Sequence, residues 1–223
     1  IERQKTRLGG LKNEEYEMAI QKLELHISMK PTTSLAFSKL GEANMALGNF
    51  RKALEFLKEA TEINNQNSDY FVLRARAYSN LDRDEKAMND LSFAILLNPI
   101  NANAYAARGA LHQANGKFKL AQNDLKKAVS LNPANEDFKH LFAKSFMVAN
   151  KYPEAFKVLR TILKENPFNA EAIFQCAIVR LEFKVEEDLA EEDLLFARSL
   201  GHPLAEKYLL DNFSGLDQLG FAA

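Results

Sequence analysis

The chain has 223 residues, of which 47% are hydrophobic and 26% are charged, a composition that excludes intrinsic disorder and allows a buried core. Its formal net charge of −1 gives no general attraction to nucleic acid or anionic lipid, so we expect neither as a partner. The single cysteine excludes an internal disulfide, and no run approaches the roughly 20 apolar residues of a membrane span.

The segment 1–33 predicts an incomplete repeat. The sequence begins at Ile1 without an apolar signal core, so we expect a processed or trimmed piece of a longer protein. Residues 16–31 favour one helix, but a helix before it would run through Gly9 and Gly10. Two glycines cost about 2 kcal/mol of helix propensity relative to alanine. We therefore expect the first helix of this segment to be missing or frayed.

From Ser34 onward the sequence repeats with a constant period, because Pro133 is equally far from Pro99 and from Pro167. An alanine followed four residues later by a leucine recurs with the same period, at Ala53, Ala87, Ala121 and Ala155. A second small position holds Gly41, Ala75, Gly109 and Ala143, which lets paired helices cross closely. We predict four repeats of two helices each, over 34–67, 68–101, 102–135 and 136–169.

Turn residues divide each repeat. In the first repeat Leu54, Leu57 and Ile63 mark the apolar side of the second helix. Four residues suit the left-handed conformation that ends a helix: Gly48, Asp82, Gly116 and Asn150. Pro99 must end the helix before it, and Asn101 can cap the next one. The proline that ends one helix and the asparagine that caps the next together form the joint between repeats.

The last part of the chain continues the pattern imperfectly. Residues 170–203 predict a degenerate fifth repeat one residue out of phase, marked by Ala190, Leu194 and Ala197. Residues 204–213 favour a capping helix, and residues 214–223 a tail, so that 204–223 close the array. Stacked helix pairs bury faces that a single pair leaves open.

Residues 104–133 carry the clearest motif, with Gly109, Gly116, Phe118, Ala121, Leu125, Ala128 and Pro133 at fixed places. This segment resembles the tetratricopeptide repeat (TPR) family. An aromatic residue replaces the family's usual Trp in three repeats, at Phe37, Phe71 and Tyr105, whereas Lys139 breaks that row. The resemblance implies an all-α fold, a right-handed α-α superhelix (TPR solenoid) whose first helices line a concave groove.

The resemblance also implies which side chains face a ligand in that groove. The candidate partner-binding residues are Arg76, Ser79, Asn103, Ala106, Ala110, Gln113, His140, Lys144, Met147 and Phe174. Small side chains between Arg76 and Lys144 predict a shallow space for an extended peptide with an acidic group. The alternative is that the alanines serve only tight stacking and that both cations are solvated.

Nothing in the sequence predicts catalysis, a metal site or a cofactor. The histidines are scattered, at His26, His112, His140 and His202, and no nucleophile motif or phosphate-binding loop is present. We expect Cys176 to be a buried apolar residue. The acidic residues 185–193 suit a solvated first turn of a helix, with a docking patch for a basic partner as the alternative.

These patterns favour a non-catalytic scaffold or adaptor in the cytoplasm that holds a peptide or helix of a partner protein in its groove. The first alternative is a structural subunit, which uses the repeat ends or the convex face and oligomerises through the incomplete N-terminal repeat. The second is a regulatory domain of an enzyme whose catalytic part lies outside this chain.

Overall fold

The computed structural model describes residues 13–30 and 32–213, and this part of the chain is all-α, as the sequence predicts. It contains twelve helices and no strand. The first six are α1 (Asn13–Met29), α2 (Ser34–Ala46), α3 (Phe50–Ile63), α4 (Ser68–Asn80), α5 (Asp84–Leu97) and α6 (Ala102–Ala114). The others are α7 (Phe118–Leu131), α8 (Glu136–Met147), α9 (Tyr152–Glu165), α10 (Ala170–Phe183), α11 (Glu187–Ser199) and α12 (Ala205–Phe213).

The helices belong to two compact units. The N-terminal unit ends at Leu131 and contains α1 to α7, and the C-terminal unit begins at Asn132 and contains α8 to α12. In the N-terminal unit α2, α4 and α6 contact one another in succession, and each also packs on the helix that follows it. The sequence predicts an uninterrupted array and gives no sign of this division. The predicted fraying at Gly9 and Gly10 and the predicted tail after residue 213 lie outside the described residues.

Asparagine side chains start the first helix of four successive helix pairs. The Oδ1 atoms of Asn101, Asn135 and Asn169 accept backbone N–H groups at 3.1, 3.1 and 2.8 Å, and Asn67 accepts one at 3.0 Å. This confirms the predicted cap at Asn101. The Nδ2 atom of Asn101 also donates to Ser68 Oγ at 2.9 Å, so the same amide ties α6 to the start of α4. One residue therefore both starts a helix and joins two helix pairs.

Left-handed residues end the first helix of each pair, as predicted. Gly48, Asp82, Gly116 and Asn150 have φ values of 79°, 57°, 71° and 55°. The last pair differs, because two residues without glycine's freedom, Lys184 and Glu186, adopt φ values of 53° and 51°. As a result α11 begins one residue later in its pair than α3, α5, α7 and α9 do in theirs. This later start of α11 is the one-residue phase shift that the sequence predicts.

The buried core is built around the recurring small residues, where the paired helices cross. The recurring alanines and their leucine partners are fully or almost fully buried, at Ala53, Leu57, Ala87, Leu91, Ala121, Leu125, Ala155 and Leu159. A Cβ atom at Gly41 would lie 2.5 Å from Leu57 Cγ, which shows how closely α2 crosses α3. Ile63, predicted on the apolar side of α3, is instead 40% exposed because it is the last residue of that helix.

Candidate functional site

The candidate binding residues lie on the first helices of the helix pairs. Six are on α4 and α6 of the N-terminal unit, and four are on α8 and α10 of the C-terminal unit. We call the surface of α2, α4 and α6 the first-helix face of the N-terminal unit. The two groups are described separately below.

Arg76 is the central charged residue of the first-helix face. Its side chain is partly buried, and burial lowers the pKa of its guanidinium from the ordinary value, an effect that the nearby Glu42 carboxylate opposes. Within the described residues Arg76 forms no side-chain hydrogen bond or ion pair, whereas Glu42 accepts a 2.6 Å hydrogen bond from Lys39. A partly dehydrated cation without a partner is a strong potential donor to a carboxylate.

Small and polar side chains make up the rest of the candidate site in the N-terminal unit, on α4 and α6. Ala110 is partly buried one repeat later, and Asn103 is exposed on the first turn of α6. The Gln113 side-chain oxygen is buried and has no hydrogen-bond partner in the described residues, so it can accept a peptide N–H group only when the side chain turns outward. Ser79 is partly buried, whereas Ala106 is only 5% exposed and offers a ligand little surface.

An arginine–aspartate pair beside this face was missed in the sequence. Arg74 Nε and Nη2 donate to the two carboxylate oxygens of Asp90 at 2.8 Å each, and Arg74 Nη1 donates to Thr61 Oγ1 at 2.6 Å. The Asp90 carboxylate, mainly through its hydrogen bonds, raises the pKa of Arg74. The pair joins α4 to α5 and holds the helix that carries Arg76.

The same arrangement recurs one repeat later. Arg108 donates to Asp124 at 2.7 and 2.8 Å, and these bonds raise the pKa of Arg108. Each arginine also lies over the aromatic residue that replaces the family's Trp in its own repeat. Arg74 lies 5.1 Å from the centre of the Phe71 ring, and Arg108 lies 5.7 Å from the centre of the Tyr105 ring. The signal was present in the sequence, because the arginines and the aspartates each recur with the period of the prolines.

In the C-terminal unit a network of side-chain hydrogen bonds holds His140. Gln175 Nε2 donates to Glu171 Oε1 at 2.6 Å, which leaves Gln175 Oε1 as the acceptor that lies 3.3 Å from His140 Nδ1. His140 therefore donates from Nδ1 and keeps Nε2 available. The other Glu171 oxygen lies 3.0 Å from His202 Nε2. No sequence pattern indicated this hydrogen-bond network, since it joins segments that are distant in sequence.

The remaining candidates in the C-terminal unit differ in exposure. Lys144 is exposed and has no partner within the described residues, whereas Met147 is partly buried against the core. Phe174 is 7% exposed and packs between the rings of His202 and Tyr208, at centroid distances of 4.0 and 5.1 Å. We therefore leave Phe174 and Ala106 out of the residues proposed to contact a ligand. Lys139, which breaks the aromatic row, is buried and donates to Glu165 Oε2 at 2.5 Å.

Other reactive groups are held in unreactive states. Cys176 is 2% exposed, and burial raises the pKa of its thiol to about 12, as expected of a packing residue. Burial also lowers the pKa of His112, although Asp124 opposes the shift. In the part of the chain that the structure describes, no group of three potential ligands is arranged to hold a metal ion. No helix in residues 13–30 and 32–213 is long and apolar enough to cross a membrane.

Family models and solved structures agree with this architecture. Two models described as tetratricopeptide repeat match residues 36–67 and 112–173. The sequence matches none of the curated proteins. The crystal structure of YrrB, described as a TPR protein with an unusual peptide-binding site, is 18% identical with a TM-score of 0.60, and the match covers 83% of this chain and 96% of that one.

Two further solved structures share the fold. TTC0263, a thermophilic TPR protein from Thermus thermophilus, is 21% identical with a TM-score of 0.67, over 74% of this chain and 91% of that one. PilF from Pseudomonas aeruginosa is 18% identical with a TM-score of 0.70, over 82% of this chain and 86% of that one.

Paired helices that recur with a constant period, with small residues at their crossings, define an α-helical repeat protein of the solenoid class. The chain is a tetratricopeptide repeat protein, as the sequence resemblance indicated. Such proteins act in general as scaffolds for protein–protein interaction.

Proposed function

We propose that this protein is a non-catalytic adaptor that binds a peptide or helix of a partner protein, with Arg76 as the anchor for an acidic group. The observation that carries the proposal is the partly buried Arg76 guanidinium, which has no partner within the described residues. On the neighbouring helix the exposed Asn103 supplies a polar contact for the ligand backbone, and Gln113 supplies a second one when its side chain turns outward. The cytoplasmic location stays a prediction.

In the C-terminal unit the proposed contacts are His140, Lys144 and the edge of Met147. The hydrogen bond from His140 to Gln175 fixes the imidazole ring, so its free Nε2 can accept from a ligand without reorientation. Lys144 supplies an exposed positive charge. Lys144 favours the same kind of ligand as Arg76, a segment with a carboxylate, whereas His140 Nε2 favours an N–H or O–H group of that segment.

Arg76→Gln tests the anchor because it removes the charge without placing a second negative group beside Glu42. We expect it to weaken binding to an array of immobilised acidic peptides by about 10- to 100-fold, the usual worth of a charge-assisted hydrogen bond. The matched control is Arg51→Gln, an exposed arginine on α3. Equal binding by wild type and Arg76→Gln, with normal binding by the control, would refute the anchor.

A second function is supported by a separate surface, the outward face of α1. Met18, Leu25 and Met29 share that face of the helix and are each more than half exposed. This favours the alternative of a structural subunit that associates through its N-terminal end. Met18→Lys combined with Leu25→Lys should then lower the mass measured by light scattering at high concentration. A wild type that stays monomeric would count against this function.

A further inference from the structure

A row of positive side chains lies on the outer side of α9. Lys157, Arg160 and Lys164 are all exposed, and their spacing of three and four residues places them on one side of the helix over about 10 Å. The opposite side, with Ala155, Leu159 and Ile162, is buried. None of the three cations pairs with a carboxylate within the described residues.

A groove separates α9 from α11, and the acids inside it are already engaged. Its floor is formed by Cys176 and Arg180 of α10. Glu186 and Asp193 line the groove on the α11 side, and Arg180 forms an ion pair with each of them. The cations of α9 therefore have no free carboxylate across the groove.

The outer side of α11 carries the opposite charge. Asp188 and Glu192 are exposed, one helical turn apart, and form no ion pair within the described residues. Ala190 and Leu194 are buried on the other side of the helix. The separation of Asp188 from Glu192, four residues, equals that of Arg160 from Lys164 on α9. The outer sides of α9 and α11 therefore carry opposite charges at the same spacing.

Apolar side chains lie on the same surface. Leu189 lines the groove and is 40% exposed. Phe196 of α11 is 42% exposed, and Phe168, which follows α9, is 68% exposed, with their ring centroids 6.2 Å apart. Exposed aromatic pairs of this kind are common at protein interfaces.

We propose that this surface, the α9–α11 face, binds the same surface of a second copy of the chain. A two-fold axis between α9 and α11 brings the α9 cations of each copy onto the α11 carboxylates of the other. It also brings the exposed apolar side chains of the two copies together. A surface with a positive side, a negative side and apolar groups is complementary to itself under such an axis.

A second copy fits this face better than nucleic acid or a foreign acidic segment. A phosphate backbone long enough to follow α9 would meet Asp188 and Glu192 beside it. A foreign acidic segment would satisfy α9 but leave the carboxylates of α11 unpaired. The proposal does not depend on Arg76 or the first-helix face, and its failure would leave the adaptor function untouched.

The test is sedimentation equilibrium of the whole chain from about 5 to about 300 µM, since complexes held by few charge pairs are weak. We expect the mass to approach that of two chains. Raising the ionic strength from about 0.05 to about 0.5 M should lower the association constant at least tenfold. A wild type that remains monomeric at the highest concentration would overturn the proposal.

Charge exchange makes the test specific. Arg160→Glu with Lys164→Glu should abolish self-association, and so should Asp188→Lys with Glu192→Lys in a second protein. Mixing the two variant proteins should restore a complex of two chains, because opposite charges meet again at both halves of the interface.

The matched control is Lys126→Glu with Lys127→Glu, two exposed lysines of α7 that produce the same change in net charge. This control should associate like the wild type, and thermal melting should confirm that every variant is folded. Loss of association in the control, or failure of the mixed variants to pair, would overturn the proposal. Binding of a fluorescent polyglutamate peptide to a monomeric wild type through Arg160 and Lys164 would do the same.

Discussion

The Arg74–Asp90 pair allows a quantitative test of how this repeat is held together. The two side chains are 19% and 11% exposed, and two charge-assisted hydrogen bonds of 2.8 Å join them. Such bonds contribute about 1.5–3 kcal/mol each, and partial exposure reduces the sum. We expect Asp90→Ala to lower the free energy of unfolding by about 2–4 kcal/mol, since Arg74 is left partly buried with only Thr61 as a hydrogen-bond partner.

The chain supplies its own control for this experiment. One repeat earlier the same two places hold Leu40, which is fully buried, and Phe56, which is partly buried against the core. Replacing both charged residues by this pair, as Arg74→Leu with Asp90→Phe, should keep the free energy of unfolding within about 1 kcal/mol of the wild type. The double variant removes both charges, so no uncompensated charge remains buried.

Urea denaturation followed by circular dichroism measures both variants, and a double-mutant cycle completed with the single variants Arg74→Leu and Asp90→Phe gives the coupling between the two positions. We expect the single Asp90→Ala variant to be much less stable than the double variant. A loss below about 0.5 kcal/mol for Asp90→Ala would refute the reasoning, because it would mean that the pair contributes no more than a surface ion pair.

Three further predictions concern the core. Gly41→Ala should lower the free energy of unfolding by about 1–3 kcal/mol in urea denaturation, because the added Cβ would lie 2.5 Å from Leu57 Cγ; a more stable variant would contradict this. Burial holds the pKa of His112 below 6.5, so the unfolded chain takes up the proton first as the pH falls and stability decreases below about pH 6.5. His112→Phe should remove part of that decrease between about pH 7 and pH 5, and identical pH dependences in thermal melting would disprove it. Because the pKa of Cys176 is about 12, a thiol reagent at about pH 8 should react at least about 100-fold more slowly than in denaturant, and rapid reaction of the folded protein would refute its burial.

The sequence allowed much of the local structure to be predicted. The left-handed turn at Asp82, the helix cap at Asn101 and the burial of Ala121 all follow from residue chemistry that acts within a few positions. The phase shift in the last repeat was also predicted, and the structure explains it by the two left-handed residues Lys184 and Glu186.

The candidate site was harder to predict, because exposure depends on neighbours that are distant in sequence. Ala106 and Phe174 occupy places that usually face a ligand in this family, but neighbouring helices bury both side chains. The unpaired state of Arg76 depends on whether Glu42, one repeat away, is already bound by Lys39. Composition and spacing contain no information about that competition.

By itself the sequence determined the helix pairs, their period and the TPR family, because capping, left-handed turns and close helix crossings depend on residue types at fixed short spacings. Only the tertiary structure decided which charges remain without partners. Arg74 and Arg76 are two residues apart in one helix, yet the first is bound by Asp90 and the second is free within the described residues. The reason is geometric, because α4 turns the first arginine toward α5 and the second toward the first-helix face.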